Sequence, residues 1–373
     1  MTPIIHTCMD FTMKLLARLK EGTHAYFAIR RHSGIIDYGI VLLVSLVSAY
    51  LIFITVDHPA YAAREELHKH IVGGTAPSPY RYRLLVPHLV ELAIRMASAY
   101  TSPKWAFLLS YFIYDLVAFV VLFGSLLWYL RGWFDRLASL LGVLLVASTI
   151  PVVVRDQYFQ PWSYLDAGVF VIALGLIRKG RALLLAVVTV IATLNRETAI
   201  FIPFAFLIAN FGVLRKTLDG SIVRCPTVAR LVVLTLCWAL VYGGVRLAEG
   251  DAPRVITVPE MWTLNIKPEN LLRTLTQHCF FGVLLYPLAL LGYRRAPRFA
   301  RELTIIIPFY MALLALFSLW WEVRLLMPLY PILLPLALSA VFPVRPGLDL
   351  TLSNAPGFPA THRADSRDER NML

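Results

Sequence analysis

Charged and aromatic side chains lie at the ends of several apolar runs in this sequence. Asp57 closes the first clear run, and His58 follows it directly. Four further groups combine arginine, acidic and aromatic residues: Tyr80, Arg81, Tyr82 and Arg83; Arg155, Asp156, Gln157 and Trp162; Asn195, Arg196 and Glu197; and Trp320, Trp321, Glu322 and Arg324. A carboxylate at the end of a rigid helix is a candidate general base, and the guanidinium fork matches phosphate oxygens. The residue types therefore favour phosphate binding beside a proton acceptor.

Each of these groups, taken singly, has an equally good structural explanation. A charge at a helix end often only anchors the helix at the membrane–water interface, where Trp and Tyr are also common. Co-location is what favours function, because the topology assigned below brings acids, arginines and aromatic residues from five separate loops to one side of the membrane. Active sites at membrane surfaces are assembled in this way.

The composition excludes an ordinary soluble domain. Of the 373 residues, 58% are apolar and 16% are charged, and the mean hydropathy is +0.67, whereas soluble domains are about a quarter charged. The apolar residues form blocks of roughly 15 to 25, long enough to cross a ~30 Å hydrocarbon core as helices. Because the runs are continuous rather than alternating, an outer-membrane barrel is disfavoured. The sequence predicts an all-α polytopic membrane protein.

The net charge and the lack of known motifs disfavour several classes of partner and reaction. The net charge is +12, but the basic residues cluster in short loops, which is typical of cytoplasmic topology signals and disfavours nucleic acid as a partner. The four cysteines have no metal-binding spacing, and motifs for nucleotide binding or metalloprotease chemistry are absent. His68 and His70 favour a solvated helix over a metal site. We expect neither a metal nor a cofactor.

About ten helices are predicted to cross the membrane. Their approximate ranges are 35–56, 105–130, 138–154, 163–177, 182–194, 199–214, 229–247, 278–293, 303–320 and 325–342. With this assignment every short loop rich in Lys and Arg faces the cytoplasm, as the positive-inside rule requires. We therefore expect a multi-pass protein of the inner (plasma) membrane, with both termini cytoplasmic and the candidate residues on the extracytoplasmic side.

Other segments are predicted to lie beside the membrane rather than across it. The stretch AAREELHKHI, after the first span, is predicted to form a short surface helix, and residues 84–100 an interfacial amphipathic helix. The latter contains Glu91 and Arg95, whose charges make a crossing unfavourable by several kcal/mol. Residues 1–33 are predicted to be a basic, amphipathic cytoplasmic segment and residues 344–373 a disordered cytoplasmic tail, which leaves 34–343 as the transmembrane domain.

Four stretches of the sequence resemble the GT-C superfamily of integral-membrane glycosyltransferases. They are ITVDH at the end of the first span, the loop-closing PYRYRLLVP, LNRETAIF, and the late helix that opens EVRLLMPLYPILLPLAL, so that the resemblance covers roughly residues 35–342. It implies a GT-C-like transmembrane domain, a polyprenyl-phosphate-linked sugar as donor, a glycan, lipid or protein as acceptor, and the bilayer as environment.

The resemblance also implies roles for individual residues. Asp57 corresponds to the general base that acts on the acceptor, and Arg324 to the arginine that contacts the lipid phosphate. Further phosphate or sugar contacts are implied at Arg81, Arg83 and Arg196. Supporting roles are implied at His58, Tyr82, Asp156, Glu197 and Glu322. Many members of the superfamily carry two neighbouring acids where this chain has Asp57 and His58, and the role of His58 stays open.

Two other functions remain compatible with the sequence. A transporter or a lipid or polysaccharide flippase predicts charges at mid-membrane and broken helices in matched halves; Asp115 is the main acid within a span, but it has no matched partner and the sequence shows no internal repeat. A non-enzymatic scaffold predicts outer charges that are unrelated in space. The transferase predicts that Asp57, Arg83, Arg196 and Arg324 line one outward-open cavity.

Overall fold

The computed structural model describes residues 33–154, 160–218 and 226–345. The predictions for the N-terminal segment and the C-terminal tail fall almost wholly on residues 1–32 and 346–373, which lie outside this part of the chain. The structure divides into two compact units, residues 1–43 and residues 44–373. In the first unit the described residues form the beginning of one helix, and every site residue discussed below belongs to the second.

Helices account for most of the described chain, and no β-strand occurs in it. Ser78 and Arg254 form an isolated parallel bridge. The α-helices are α1 Ser33–Ile52, α2 Tyr61–Val72, α3 Leu85–Ala97, α4 Pro103–Leu130, α5 Arg136–Val153, α6 Trp162–Arg178, α7 Ala182–Asn195, α8 Phe201–Ala209, α9 Phe211–Leu218, α10 Pro226–Glu249, α11 Val258–Asn265, α12 Pro268–Gly282, α13 Leu285–Gly292, α14 Arg298–Leu303, α15 Ile306–Phe317 and α16 Tyr330–Val341. A π-helical turn, Phe53–Asp57, continues α1, and 3₁₀ turns occupy Tyr80–Tyr82, Glu197–Ile200, Tyr293–Arg295 and Val323–Leu329.

Six helical stretches of the described chain are long and apolar enough to cross a membrane. They are Gly34–Asp57, Pro103–Leu130, Arg136–Val153, Pro226–Glu249, Arg298–Phe317 and Val323–Val341, and a seventh arises if α12 and the segment Leu285–Arg295, bent by 57°, count as one span. The all-helical part of the prediction is confirmed for the described residues, and the apolar helices are compatible with a membrane protein. The count of ten stays a prediction, because α6, α7 and α8 have only 17, 14 and 9 residues.

Two segments differ from the prediction: the span expected at 199–214 and the loop expected between the spans 229–247 and 278–293. The span expected at 199–214 divides at Asn210, whose side-chain amide donates to the carbonyl of Phe206 at 2.8 Å and so terminates α8. The loop expected at 248–277 contains α11 and most of α12. A capping box between Thr257 and Glu260 starts α11, and Pro268 occupies the first turn of α12, a position that suits proline.

Close helix packing in the described chain depends on glycine at two contacts. A Cβ atom at Gly168 of α6 would lie 3.1 Å from the backbone nitrogen of Leu122 in α4. One at Gly292 of α13 would lie 1.9 Å from the carbonyl oxygen of Leu336 in α16. The hydrophobic effect does not drive helices together within a membrane. Small residues instead allow the helix backbones to approach closely and pack by van der Waals contact. These contacts fix α6 against α4 and α13 against α16.

The two short helices predicted after the first span both form. Helix α3 buries Val86 and Val90 in an apolar cluster with Ile71 of α2 and Tyr111 of α4. Its opposite side exposes Leu89, Leu92 and Met96. An exposed apolar stripe on a short charged helix is typical of an interfacial helix, and the membrane placement of α2 and α3 remains a prediction. The cluster holds both helices against α4, which positions the residues described next.

Candidate active site

Asp57 is fully buried at the end of the π-helical turn and forms an ion pair with Arg64 of α2. Arg64 is itself 3% exposed, and its guanidinium lies over the ring of Tyr111 at 5.7 Å. Burial lowers the pKa of Arg64 to about 10, and the nearby carboxylate of Asp115 works against this lowering. The predicted base is therefore neutralised by an arginine that sequence reasoning did not single out.

Asp115 is a second buried carboxylate beside Arg64. It lies near the middle of the 28-residue helix α4 and is 1% exposed. Neither of its oxygens has a hydrogen-bond partner. Tyr111 lies one helical turn earlier on the same face, and the π-helical turn that carries Asp57 packs against α4. Three charged groups from three elements thus meet in one buried region.

His68 extends this region toward α3. Its Nδ1 lies 2.8 Å from the hydroxyl of Tyr111, and its Nε2 lies 3.0 Å from Oε2 of Glu91. Glu91 also accepts a 2.7 Å hydrogen bond from Arg95. Burial lowers the pKa of His68 below its ordinary value of 6.5, although Glu91 opposes the shift. His68 is thus a neutral link between α2, α3 and α4.

Arg83 forms the second part of the site. It is 4% exposed, and its Nη2 lies 3.3 Å from Oε1 of Glu197. Its guanidinium lies 4.9 Å from the ring centre of Trp162 and 5.8 Å from that of Tyr80. Its Nε and Nη1 have no hydrogen-bond partner. The aromatic faces hold the cation and leave two of its donor atoms unused.

Two arginines lower the pKa of Glu197. Burial lowers the pKa of Arg83, Glu197 opposes that lowering, and the positive charge of Arg196 adds to it. For Glu197, burial by itself raises the pKa, but Arg83 and Arg196 outweigh burial and hold the pKa below 4.5. Arg83, Arg196 and Glu197 therefore lie within electrostatic reach of one another, and Glu197 is ionised at neutral pH. Its side chain is 38% exposed, so it marks the open edge of the group.

Arg196 points from the α7–α8 corner into the protein. Its Nη1 lies 3.4 Å from Oδ2 of Asp166 on α6, an oxygen that also accepts from Thr198 at 3.4 Å. Asn195 donates to the carbonyl of Trp162 at 3.1 Å. Arg196 is 4% exposed and Asp166 is 5% exposed. The short corner is thus fixed to α6 by a buried ion pair and a buried hydrogen bond.

Arg324 belongs to a separate ion pair at the start of the last span. Its Nη2 lies 3.0 Å from Oε2 of Glu322, and both side chains are buried. Asn265 of α11 stabilises the preceding segment, since it donates to the carbonyl of Ser318 and accepts from the backbone N–H of Trp320. Tyr164 of α6 lies within electrostatic reach of Arg324 and of Arg64. Helix α6 therefore carries residues beside the ion pairs of Arg64, Arg196 and Arg324.

Arg81 and Tyr82 lie at the margin. Arg81 pairs with Glu249 at 3.4 Å, and the hydroxyl of Tyr82 donates to the carbonyl of Gly250 at 3.1 Å. Both contacts tie the loop after α2 to the C-terminal end of α10. His58 is exposed, and its ring lies 6.1 Å from that of Phe53. Asp156, together with Arg155 and Gln157, lies outside the described residues.

The open cavity expected of a transferase is not formed in this structure. Asp57, Arg83, Arg196 and Arg324 are all at most 5% exposed, and each is closed by an ion pair. A small cavity of about 10 Å³ is lined by Asp166, Phe170, Ala192, Thr198, Ala199, Phe201, Ile202, Tyr310 and Pro328. It has room for about one water molecule and lies beside the Arg196–Asp166 pair. The structure describes a closed arrangement.

Two residues of the site, Arg64 and Asp166, were missed by sequence reasoning. Asp166 lies inside the apolar run of α6, and an ionisable residue within a span is a functional candidate by default, so that rule could have found it. Arg64 lies on a charged helix with Glu65, Glu66 and Lys69. Nothing local distinguishes it from these neighbours, because its burial comes from contact with α4.

Comparison with protein-family models, with curated proteins and with solved structures found no match. Within the described residues no cluster of three or more His, Cys, Asp or Glu side chains could hold a metal ion. The described residues form an all-helical protein with at least six helices long and apolar enough to cross a membrane and with several buried ion pairs. They do not assign it to a family.

Proposed function

We propose that this protein is a membrane glycosyltransferase. It moves a sugar from a polyprenyl-phosphate donor to a glycan, lipid or protein acceptor on the extracytoplasmic side of the membrane. The observation that carries the proposal is the pair of buried arginines, Arg83 and Arg196, which retain N–H groups without hydrogen-bond partners among the described residues. Unused guanidinium donors in a water-poor site suit phosphate oxygens. The resemblance of the four sequence stretches to the GT-C superfamily supports the same function.

The proposed reaction is a single displacement. Asp57 takes the proton of an acceptor hydroxyl while the acceptor oxygen forms its bond to the anomeric carbon. The bond between that carbon and the phosphate oxygen breaks, and its electron pair stays on the phosphate. Arg324 stabilises the charge that develops there, with Arg83 and Arg196 as further phosphate contacts, and each such contact is worth a few kcal/mol. Arginines can perform this role without a metal.

The closed arrangement sets a condition on this reaction. Arg64 must leave Asp57 as that carboxylate accepts a proton, and Glu197 must release Arg83 so that this arginine can bind the donor phosphate. Glu197 is the most accessible member of the second pair, with 38% of its side chain exposed. Entry of the phosphate from this edge replaces one anion by another, so that Arg83 stays neutralised throughout.

A transferase assay with labelled polyprenyl-phosphate sugars tests the proposal. Asp57→Asn keeps the shape of the side chain but removes the base, and we expect activity to fall about 10²- to 10⁴-fold, the contribution of a general base. Glu66→Gln is the matched control, because Glu66 is 76% exposed on α2, and it should retain full activity. Equal activity of the wild type and Asp57→Asn would exclude Asp57 as the base. An inactive wild type across donors would reject the transferase.

A transporter or flippase remains the second candidate, and Asp115 is the observation that favours it. A carboxylate without hydrogen-bond partners near the middle of a long apolar helix is a recurrent feature of ion-coupled transport. Purified protein in liposomes distinguishes the two functions. Movement of a labelled lipid-linked sugar between leaflets, without transfer of the sugar, would favour the flippase.

A further inference from the structure

Asp57, Arg64 and Asp115 form a buried group in which the charges do not balance. All three side chains are at most 3% exposed, and they come from the π-helical turn, α2 and α4. Arg64 forms its ion pair with Asp57 and lies over Tyr111, one turn from Asp115. Two carboxylates therefore meet one guanidinium in a region closed to water.

Charge balance in such a region has a simple requirement. A buried carboxylate without a compensating partner is strongly disfavoured, and the group neutralises itself by binding a proton. The ion pair with Arg64 compensates Asp57. Among the described residues, the oxygens of Asp57 and of Asp115 both lack hydrogen-bond donors, but Asp57 has its ion pair with Arg64. Asp115 is left as the carboxylate without a compensating ion pair.

We propose that Asp57 and Asp115 share one cation, Arg64, and one proton. In the closed arrangement Arg64 pairs with Asp57, and the proton resides on Asp115. When Asp57 binds a proton, Arg64 turns to Asp115, which becomes the carboxylate. Asp115 is thus a positioning residue: it receives the arginine that must otherwise block the base.

The role of this exchange in catalysis rests on the proposed transferase. When Asp57 takes the acceptor's proton, Arg64 loses its carboxylate partner. Release of the Asp115 proton to water then restores neutrality, and one proton leaves the group for each proton taken up. Asp115 is thus a second acid beside Asp57, and it comes from a separate helix. The residue next to Asp57 in the sequence is His58.

The other ionisable groups around Asp115 do not change the count of two carboxylates and one guanidinium in this group. Tyr111 and Tyr114 lie on α4 itself, and Tyr164 faces it from α6. The hydroxyl of Tyr114 donates to the carbonyl of Pro161, and that of Tyr111 contacts His68. Arg324, the other described cation within electrostatic reach of Tyr164, is paired with Glu322. Arg64 is therefore the cation for which Asp57 and Asp115 compete.

Infrared spectroscopy of the full-length protein in lipid nanodiscs tests the proposal without any substrate. A protonated carboxyl has a C=O stretch at higher frequency than a carboxylate or an amide. We expect one such band in the wild type at neutral pH that is absent in Asp115→Asn. It should also be absent in Asp57→Asn, because Arg64 then pairs with Asp115 and ionises it. In Arg64→Gln both carboxyls bind protons and the band should about double, whereas Arg64→Lys should keep the wild-type intensity.

Two results would overturn the proposal. One is the lack of any band that depends on Asp115, which would mean that Asp115 is ionised. The other is a band of full intensity in Asp57→Asn, which would mean that the proton does not depend on a shared arginine. If Arg64→Gln does not yield folded protein, the two Asn variants decide between these outcomes.

The role of Asp115 in catalysis is tested separately, by the kcat and the pH–rate profile of Asp115→Asn. In Asp115→Asn, Arg64 has no second carboxylate of this group to turn to and stays with Asp57, so we expect kcat to fall about tenfold or more and the acid limb of the pH–rate profile to move to lower pH. A purely structural role would lower activity without moving that limb. An inactive wild type would reject the transferase and leave the shared proton to be judged by the infrared result.

Discussion

His68 shows how a single buried side chain links three helices. Its ring connects the hydroxyl of Tyr111 and the carboxylate of Glu91, and its own charge is suppressed by burial. Sequence reasoning treated His68 with His70 as part of a solvated helix. That interpretation suits His70, which is 52% exposed, but not His68, at 4%. The difference comes from the packing of α2 on α4, which local sequence does not specify.

The lowered pKa of His68 predicts an acid-sensitive contribution to stability. The unfolded chain binds a proton near pH 6.5 while the folded His68 resists it, so acid favours unfolding. His68 therefore stabilises the fold above about pH 6.5 and loses this contribution as the pH falls below that value. At about pH 7.5, His68→Gln should lower the melting temperature, with a loss of about 1–3 kcal/mol.

Thermal unfolding in detergent at several pH values checks this. The gap between wild type and His68→Gln should narrow at about pH 5.5, whereas His70→Gln should match the wild type at every pH. A gap that stays constant from neutral to acid pH would contradict the prediction.

At the scale of the helices, hydropathy predicts where apolar segments lie better than where they break. The helix ends of α4, α5 and α10 fall within a few residues of the predicted spans. The division at Asn210 and the bend between α12 and α13 were missed, because a polar side chain or a short break inside an apolar run changes mean hydropathy little. Capping residues such as Thr257 and Glu260 were present in the sequence as signals.

The contact between α13 and α16 predicts a sharp difference between two glycines. In Gly292→Ala the new methyl group would meet the backbone of α16 at Leu336 and Ala340, so the helices must separate, at a cost of about 1–3 kcal/mol. Gly243 in α10 is the matched control, since a Cβ atom there meets nothing within 4 Å and alanine has the better helix propensity.

Melting temperatures of the two alanine variants in detergent make the comparison. Gly292→Ala should unfold at clearly lower temperature than the wild type, and Gly243→Ala at the same or a higher temperature. Equal stability of the two variants would show that α13 and α16 are not held this closely.

At the scale of the whole molecule, function and topology depend on one another. The buried arginines and acids lie near helix ends that the positive-inside rule assigns to the extracytoplasmic side. Asp57, Arg83, Arg196 and Arg324 could be chosen from the sequence because each follows or precedes an apolar run. Their partners could not all be chosen, because Arg64 and Asp166 become relevant only when α2 and α6 pack beside them.

Cysteine labelling in intact cells tests which side of the membrane each loop faces. In a background with all four native cysteines replaced by serine, Glu66→Cys and Arg298→Cys offer nearly equal accessibility, since the native side chains are 76% and 75% exposed. We expect a membrane-impermeant maleimide to label Glu66→Cys in intact cells and Arg298→Cys only after permeabilisation. Labelling of Arg298→Cys in intact cells would place that loop outside and overturn the assigned topology.

Helix α10 connects the site to the membrane itself. Most of its side chains are exposed, including Val232, Leu236 and Leu240, while the guanidinium of Arg246 lies 4.1 Å from the ring centre of Tyr82. A helix longer than the local hydrocarbon thickness tilts to match it. Because Tyr82 directly precedes Arg83, we expect tilt of α10 in a thinner bilayer to pull on the segment that presents this arginine. We therefore expect lipid chain length to change the position of Arg83 without any ligand.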